Sequence, residues 1–219
     1  MKTIFSPLFY LLLISTSLHS QAALYDRGNG LIYDDVLDIT WLQDANYAKT
    51  TDATPWYRSG WMSLNDAVAW TDSLDLAGHN NWRLPSAGEN PTMGWSSDSE
   101  LGHMFYNNLG NSGSLTNDTF IDGNTGLSVS FENIQNTIYW LSEELPGNKV
   151  WTFKMQAGKM LDYASRNSGY HIWAVHDGDI GNTVNPSAVP VPASAFLFSS
   201  ALLGLVLSRP RNKQSSASH

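Results

Sequence analysis

The sequence predicts an α+β domain without disulfides, two helices packed on an antiparallel sheet. Two runs of helical periodicity, each opened by serines, lie in the first half of the central region. The second half alternates aromatic or aliphatic residues with polar ones at strand spacing. Cysteine is absent from all 219 residues, which also excludes thiolate zinc sites, cysteine nucleophiles and redox dithiols.

Taken in order, 31–33 and 39–42 are short β-prone runs set apart by Asp34, Asp35 and Asp38, and they predict a hairpin. Ser63 with Asp66 three residues on predicts a helix start. Ala67, Val68, Thr71 and Leu74 then share one face, and Gly78 is the stop. Ser97 and Glu100 predict a capping box for the second helix. Its Leu101, Met104, Phe105 and Leu109 recur at helical spacing up to Gly110. Residues 110–126, rich in Gly, Asn, Ser, Thr and Asp, predict a long loop. Strands are predicted at 137–141, 150–155, 160–163 and 170–176, with turns at 146–148 and 156–158.

The two ends read as addresses rather than fold. Lys2 precedes a mostly apolar run from Phe5 to Ile14, interrupted by Ser6 and Pro7; a polar stretch follows, and Ala22-Ala23 closes it. This predicts a signal peptide over 1–22, because the run is about half of the ~20 residues a membrane span needs. Cleavage after Ala22 places small residues, Ser20 and Ala22, at both recognition positions; cleavage after Ala23 would place Gln21 at one. The domain then spans 23–182 and a linker 183–194. A hydrophobic helix over 195–207 and a basic polar tail over 208–219 with Arg209, Arg211 and Lys213 complete the chain. The basic end holds the C-terminus at the cytoplasmic side and leaves the domain outside.

Val189, Pro190, Val191, Pro192 and Ala193, followed by the apolar helix and basic end, closely resemble the PEP-CTERM family of sorting signals. Pro210 interrupts the basic cluster, and residues 214–219 trail beyond it. The resemblance implies an exosortase-like processing enzyme of a Gram-negative bacterium as partner, with transient inner-membrane insertion through the helix. A plain C-terminal membrane anchor is the alternative. Both readings place the domain beyond the inner membrane, at the cell surface or in the extracellular matrix.

A second resemblance covers most of the domain. The runs 29–34, 41–43, 63–76, Gly78-His-Asn-Asn-Trp-Arg-Leu-Pro85, 99–106, 139–142, 150–153 and 172–178 are similar to the Lcl C-terminal domain family, with Trp82-Arg-Leu-Pro85 the most distinctive. This implies a C-type-lectin-like fold and carbohydrate binding, sulfated glycans in the named member. His176 stands where many relatives carry Arg. The related formylglycine-generating enzymes use cysteines that this chain lacks.

Charge argues against a sulfated ligand. The region 23–188 holds eight Lys and Arg (27, 49, 58, 83, 149, 154, 159 and 166) against all twenty Asp and Glu, a formal charge of −12. Such a field repels polyanions, so nucleic acid is excluded as an expected partner.

All nine Trp lie in the domain. Trp41, Trp82, Trp140, Trp151 and Trp173 sit in strand-like runs and are expected in the core. Trp56, Trp61 and Trp95 sit among Pro, Gly and Ser and are the expected sugar-stacking face. Arg83 is expected in a structural ion pair. Asp118, Asp122 and Asn124 in one loop are candidate calcium ligands, as are Asp177, Asp179 and Asn182 in another, although neither follows EF-hand spacing and all are ordinary turn formers. Glu89-Asn-Pro91 has the composition of a lectin sugar motif in scrambled order.

No nucleophile elbow, zinc-binding His-Glu-x-x-His or phosphate loop occurs, and His79, His103, His171 and His176 have no carboxylate at ligand spacing. His103 is expected to be a surface or packing residue. The expectation is a non-enzymatic exported module that binds extracellular polysaccharide. A structural matrix protein is the alternative, and a polysaccharide hydrolase the less favoured one.

Overall fold

The structure, a computed structural model, describes residues 23–54 and 59–181. The signal peptide, Trp56, Asn182, the linker with its sorting motif, the hydrophobic helix and the basic tail lie outside the described residues.

Two four-stranded antiparallel sheets and a short ribbon form the framework. In the first sheet, β1 (Leu24–Gly28), β2 (Leu31–Asp34), β3 (Ile39–Leu42) and β10 (Val175–Asp177) lie in the order β1-β2-β3-β10. The predicted hairpin is β2–β3, with Leu31 opposite Leu42 and Asp34 opposite Ile39. The Asp34 carboxylate accepts from the N–H groups of Val36 and Leu37 (both 3.1 Å), so the acidic run makes the turn.

In the second sheet, β4 (Gly94–Trp95), β9 (Lys159–Ser165), β8 (Lys149–Lys154) and β7 (Ile138–Leu145) lie in that order. Gly147 and Asn148, both at positive φ, turn β7 into β8; Gly158 at φ 59° turns β8 into β9. A Cβ at Gly158 would also stand 2.5 Å from Tyr106 Oη, so the turn needs glycine twice over.

Of three α-helices among the described residues, two were expected. The additional one is a single turn, α1 (Tyr47–Thr50). Ser63 caps α2 (Leu64–Ser73), its hydroxyl accepting from Asp66 N–H. Leu64, Ala67 and Thr71 are buried, while Val68 is 42% exposed and faces away from the expected stripe. Leu74 ends the helix ahead of Gly78.

The second predicted helix starts two residues later than its capping box. Ser99, not Ser97, caps α3 (Glu100–His103) through Gly102 N–H at 3.0 Å. Glu100 therefore occupies the first helical position, and its carboxylate is free to pair elsewhere. The helix widens into a π-turn over 104–108, where Leu109 N–H reaches Met104 O at 3.0 Å, and Gly110 leaves it at φ 64°.

The expected long loop 110–126 contains a strand, β5 (Thr119–Ile121), which pairs with β6 (Ser128–Ser130) just beyond it to form a ribbon. The expected strand 170–176 is largely a stitch. Tyr170 bridges Met62, His171 bridges Tyr139 and Val175 bridges Arg83, before the chain joins the first sheet as β10. One segment thus ties the sheets together.

The five Trp expected inside are buried, none more than 6% exposed. Trp173 packs edge-on against Trp41 (5.0 Å between ring centroids) and Phe131 (5.1 Å) and donates to Leu42 O at 2.7 Å. A second cluster under α2 joins Met62, Leu64, Ala67, Leu84, Trp140 and Val150. Trp140 donates to Met62 O at 2.8 Å, which fixes the backbone beside Trp61.

Candidate aromatic binding groove

Trp61 lies at the entrance to α2, 46% exposed. Its indole N–H, a donor only, points at Nε2 of the buried His171, which must accept. The ring proton of His171 therefore sits on Nδ1, facing Asn46 Oδ1 at 3.3 Å. Burial drives the His171 pKa down to about 4, which keeps the ring neutral and the acceptor available. The two rings meet edge to face at 5.8 Å.

Gly60 holds the approach at φ 97° and gives its N–H to Thr54 Oγ1 at 3.1 Å. A Cβ there would overlap Asn46 Oδ1. Trp61 is thus pinned from behind by a chain of groups running through His171 to Asn46, while part of its face stays in solvent.

That face opens on a groove of about 490 Å³ lined with Trp70, Met62, Ala69, Asp66 and Ser73. Half-exposed indoles beside hydroxyl and carboxylate groups suit a sugar: ring C–H groups stack on an indole, and hydroxyls bond to oxygens at the rim. Of the Trp residues expected on a sugar-stacking face, Trp61 lies on this groove; Trp70, which also lines it, and His171, which holds Trp61, were not among the expected residues. Alternation through 170–173 puts His171 and Trp173 on one side of the chain, both against Tyr139, and that was the available signal.

Trp95 is 69% exposed on β4, opposite Lys159. The Lys159 ammonium lies 3.9 Å from the ring centroid and covers part of it. A shallow hollow of about 240 Å³ there includes Ser96, Ser97, Tyr106 and Asn107. Trp61 and Trp95 line separate depressions.

Among the candidate calcium ligands, Asp122 is buried while Asp118 and Asn124 are exposed. Asp122 Oδ1 accepts from Asp26 N–H at 2.8 Å; Oδ2 accepts from Thr125 N–H at 2.7 Å and Thr125 Oγ1 at 2.5 Å. Burial pushes this carboxyl up, but the hydrogen bonds outweigh it and hold the pKa below the ordinary carboxylate range. In the other loop, Asp179 is taken by Arg27 through bonds of 3.0 and 2.6 Å, and Asp177 by Arg83. Among the described residues, no three His, Asp or Glu gather at metal-ligating distance.

Arg83 forms the expected ion pair, bidentate to Glu100 and shared with Asp177. His103 is buried; its Nδ1 lies 2.9 Å from Asn107 Nδ2 and its Nε2 has no partner among the described residues.

The chain matches no family model, no curated protein and no solved structure.

Proposed function

We propose that this protein is an exported, non-enzymatic binding module of C-type-lectin-like fold that docks an extracellular polysaccharide of low negative charge in the Trp61 groove. Export through the N-terminal signal and sorting by an exosortase-like enzyme of a Gram-negative bacterium complete the reading. They place the protein at the cell surface or in the matrix. The observation that carries it is the Trp61 indole, part exposed yet pinned by His171. A ring already held in its bound orientation loses little entropy when a sugar stacks on it. The formal charge of −12 over 23–188 turns sulfated chains away and leaves neutral ones unopposed.

A glycan array probed with wild type and Trp61→Ala, with and without calcium, tests this. Binding of uncharged oligosaccharides that the variant loses is the expected result, and the calcium arm settles the ion's part. An array blank in both arms would overturn the reading.

A structural matrix protein is favoured by a different observation. Ile121 (63% exposed), on β5, and Leu127 (66%), just before β6, are apolar side chains left in solvent and available for self-association. Sedimentation showing a monomer at matrix-like concentration would remove that alternative.

A further inference from the structure

We infer that the mature chain begins at Ala23, and that export processing creates an ammonium which lands on the carboxylate of Asp35. This rests on reading 1–22 as an export signal. The backbone nitrogen of Ala23 lies 3.0 Å from Asp35 Oδ1, and Ala23 O accepts from Asp35 N–H at 3.3 Å. Tyr25 Oη donates to the other carboxylate oxygen at 3.3 Å. Among the described residues no Lys or Arg pairs with Asp35.

Cutting the Ala22–Ala23 peptide bond adds water across it. The carboxylate leaves with the signal, and the Ala23 nitrogen takes up protons to become an ammonium. An amide hydrogen bond to Asp35 thereby becomes an ion pair without any movement of the chain.

The alternative cut, after Ala23, would delete both backbone contacts to Asp35. Leu24 is buried, bridges Asp122 and accepts from Gly123 N–H at 2.9 Å, so a new charge would fall on the packed start of β1. Small residues at Ser20 and Ala22 favour the same cut from the other side of the bond.

The partner raises the amine's pKa in the folded chain above its ordinary ~7.7–8.0. The added stability is present below about pH 8 and lost as pH rises through the folded value. The pair is exposed, so the folded-to-unfolded ratio should change by about two- to fivefold.

The test is the N-terminal peptide mass of the protein recovered from the envelope and medium of the producing cells. Urea unfolding between pH 6 and 10 then compares the mature chain, its N-acetylated form and Asp35→Asn. A start at Ala23, with a stability drop above pH 8 that acetylation and Asp35→Asn both abolish, is expected. A start at Leu24 or another internal residue, or an acetylated chain indistinguishable from the free amine, overturns the inference and leaves export standing. Recovery of folded protein that still begins at Met1 overturns the export reading itself.

Discussion

Arg83 and Glu100 face each other through two parallel hydrogen bonds, Nη1 to Oε2 at 2.8 Å and Nη2 to Oε1 at 2.7 Å. The same guanidinium holds Asp177 at the start of the chain's exit from β10, and Glu100 also accepts from Ser86 N–H at 2.8 Å. One arginine therefore joins the segment before β4, the start of α3 and the end of the first sheet. Its pKa stands above the ordinary arginine value: burial lowers it, but the bonds and charges of Glu100 and Asp177 outweigh that.

Arg83→Ala leaves Glu100, with a side chain only 13% exposed, without its cation. Removing one partner of a buried pair is strongly destabilising, and the exposure of Arg83 moderates it. The expected loss is about 2 kcal/mol, read as a lower urea midpoint. Glu100→Gln should lose less, because its amide oxygen still accepts from Ser86. Groove binding should persist in both.

Stability should depend on His171 in mild acid. An unfolded histidine takes its proton near pH 6.5, and the folded one at about 4 because it is buried. Between those values the unfolded chain binds more protons, so stability rises with pH through that window. It is complete above about 6.5 and lost as pH falls toward 4. The total is on the order of 3 kcal/mol, one pKa unit being ~1.4 kcal/mol. Protonation also places an N–H where Nε2 accepted from Trp61, so the indole is released. Thermal unfolding from pH 4 to 7 should show this slope, and His171→Gln should flatten it.

Asp122→Asn should weaken the docking of β1. The amide keeps one oxygen for Asp26 N–H but turns an NH₂ toward the Thr125 donors, at about 1–3 kcal/mol. The folded carboxyl has the lower pKa, so its contribution is present above the unfolded value of ~3.9 and lost as pH falls through that range. Unfolding of the variant near pH 3 should therefore resemble wild type more closely than it does at pH 7.

Elements that obey a local rule were legible. Ser63 caps α2 because its hydroxyl meets a donor three residues on, and Trp41 and Trp173 are buried because their neighbours in sequence are aliphatic. Ser99 rather than Ser97 is the cap, and Glu100, the acid that suggested the box, pairs instead with Arg83 seventeen positions away, a tertiary contact that no spacing rule contains. Within the predicted loop 110–126, β5 went unread, and β6 just beyond it was not predicted either, because three-residue strands carry too little alternation to register. In the groove, the exposure of Trp61 followed from its Gly and Ser neighbours. Its anchoring did not, since His171 lies 110 residues later and reaches Trp61 only through the stitch between the sheets.

Gly60 tests whether that anchoring matters for binding. Alanine there meets two obstacles, a backbone at φ 97° and a Cβ that overlaps Asn46 Oδ1. Asn46 must yield, and with it the acceptor that orients His171 and hence Trp61. Gly60→Ala is expected to lower stability by about 2 kcal/mol and to weaken the proposed polysaccharide binding about tenfold. Asn46→Ala, which makes room for the methyl group, should restore part of the stability in the double variant but not the binding. Titration calorimetry and urea unfolding on all three variants separate the effects. Unchanged affinity in Gly60→Ala would show that the sugar does not need a fixed indole.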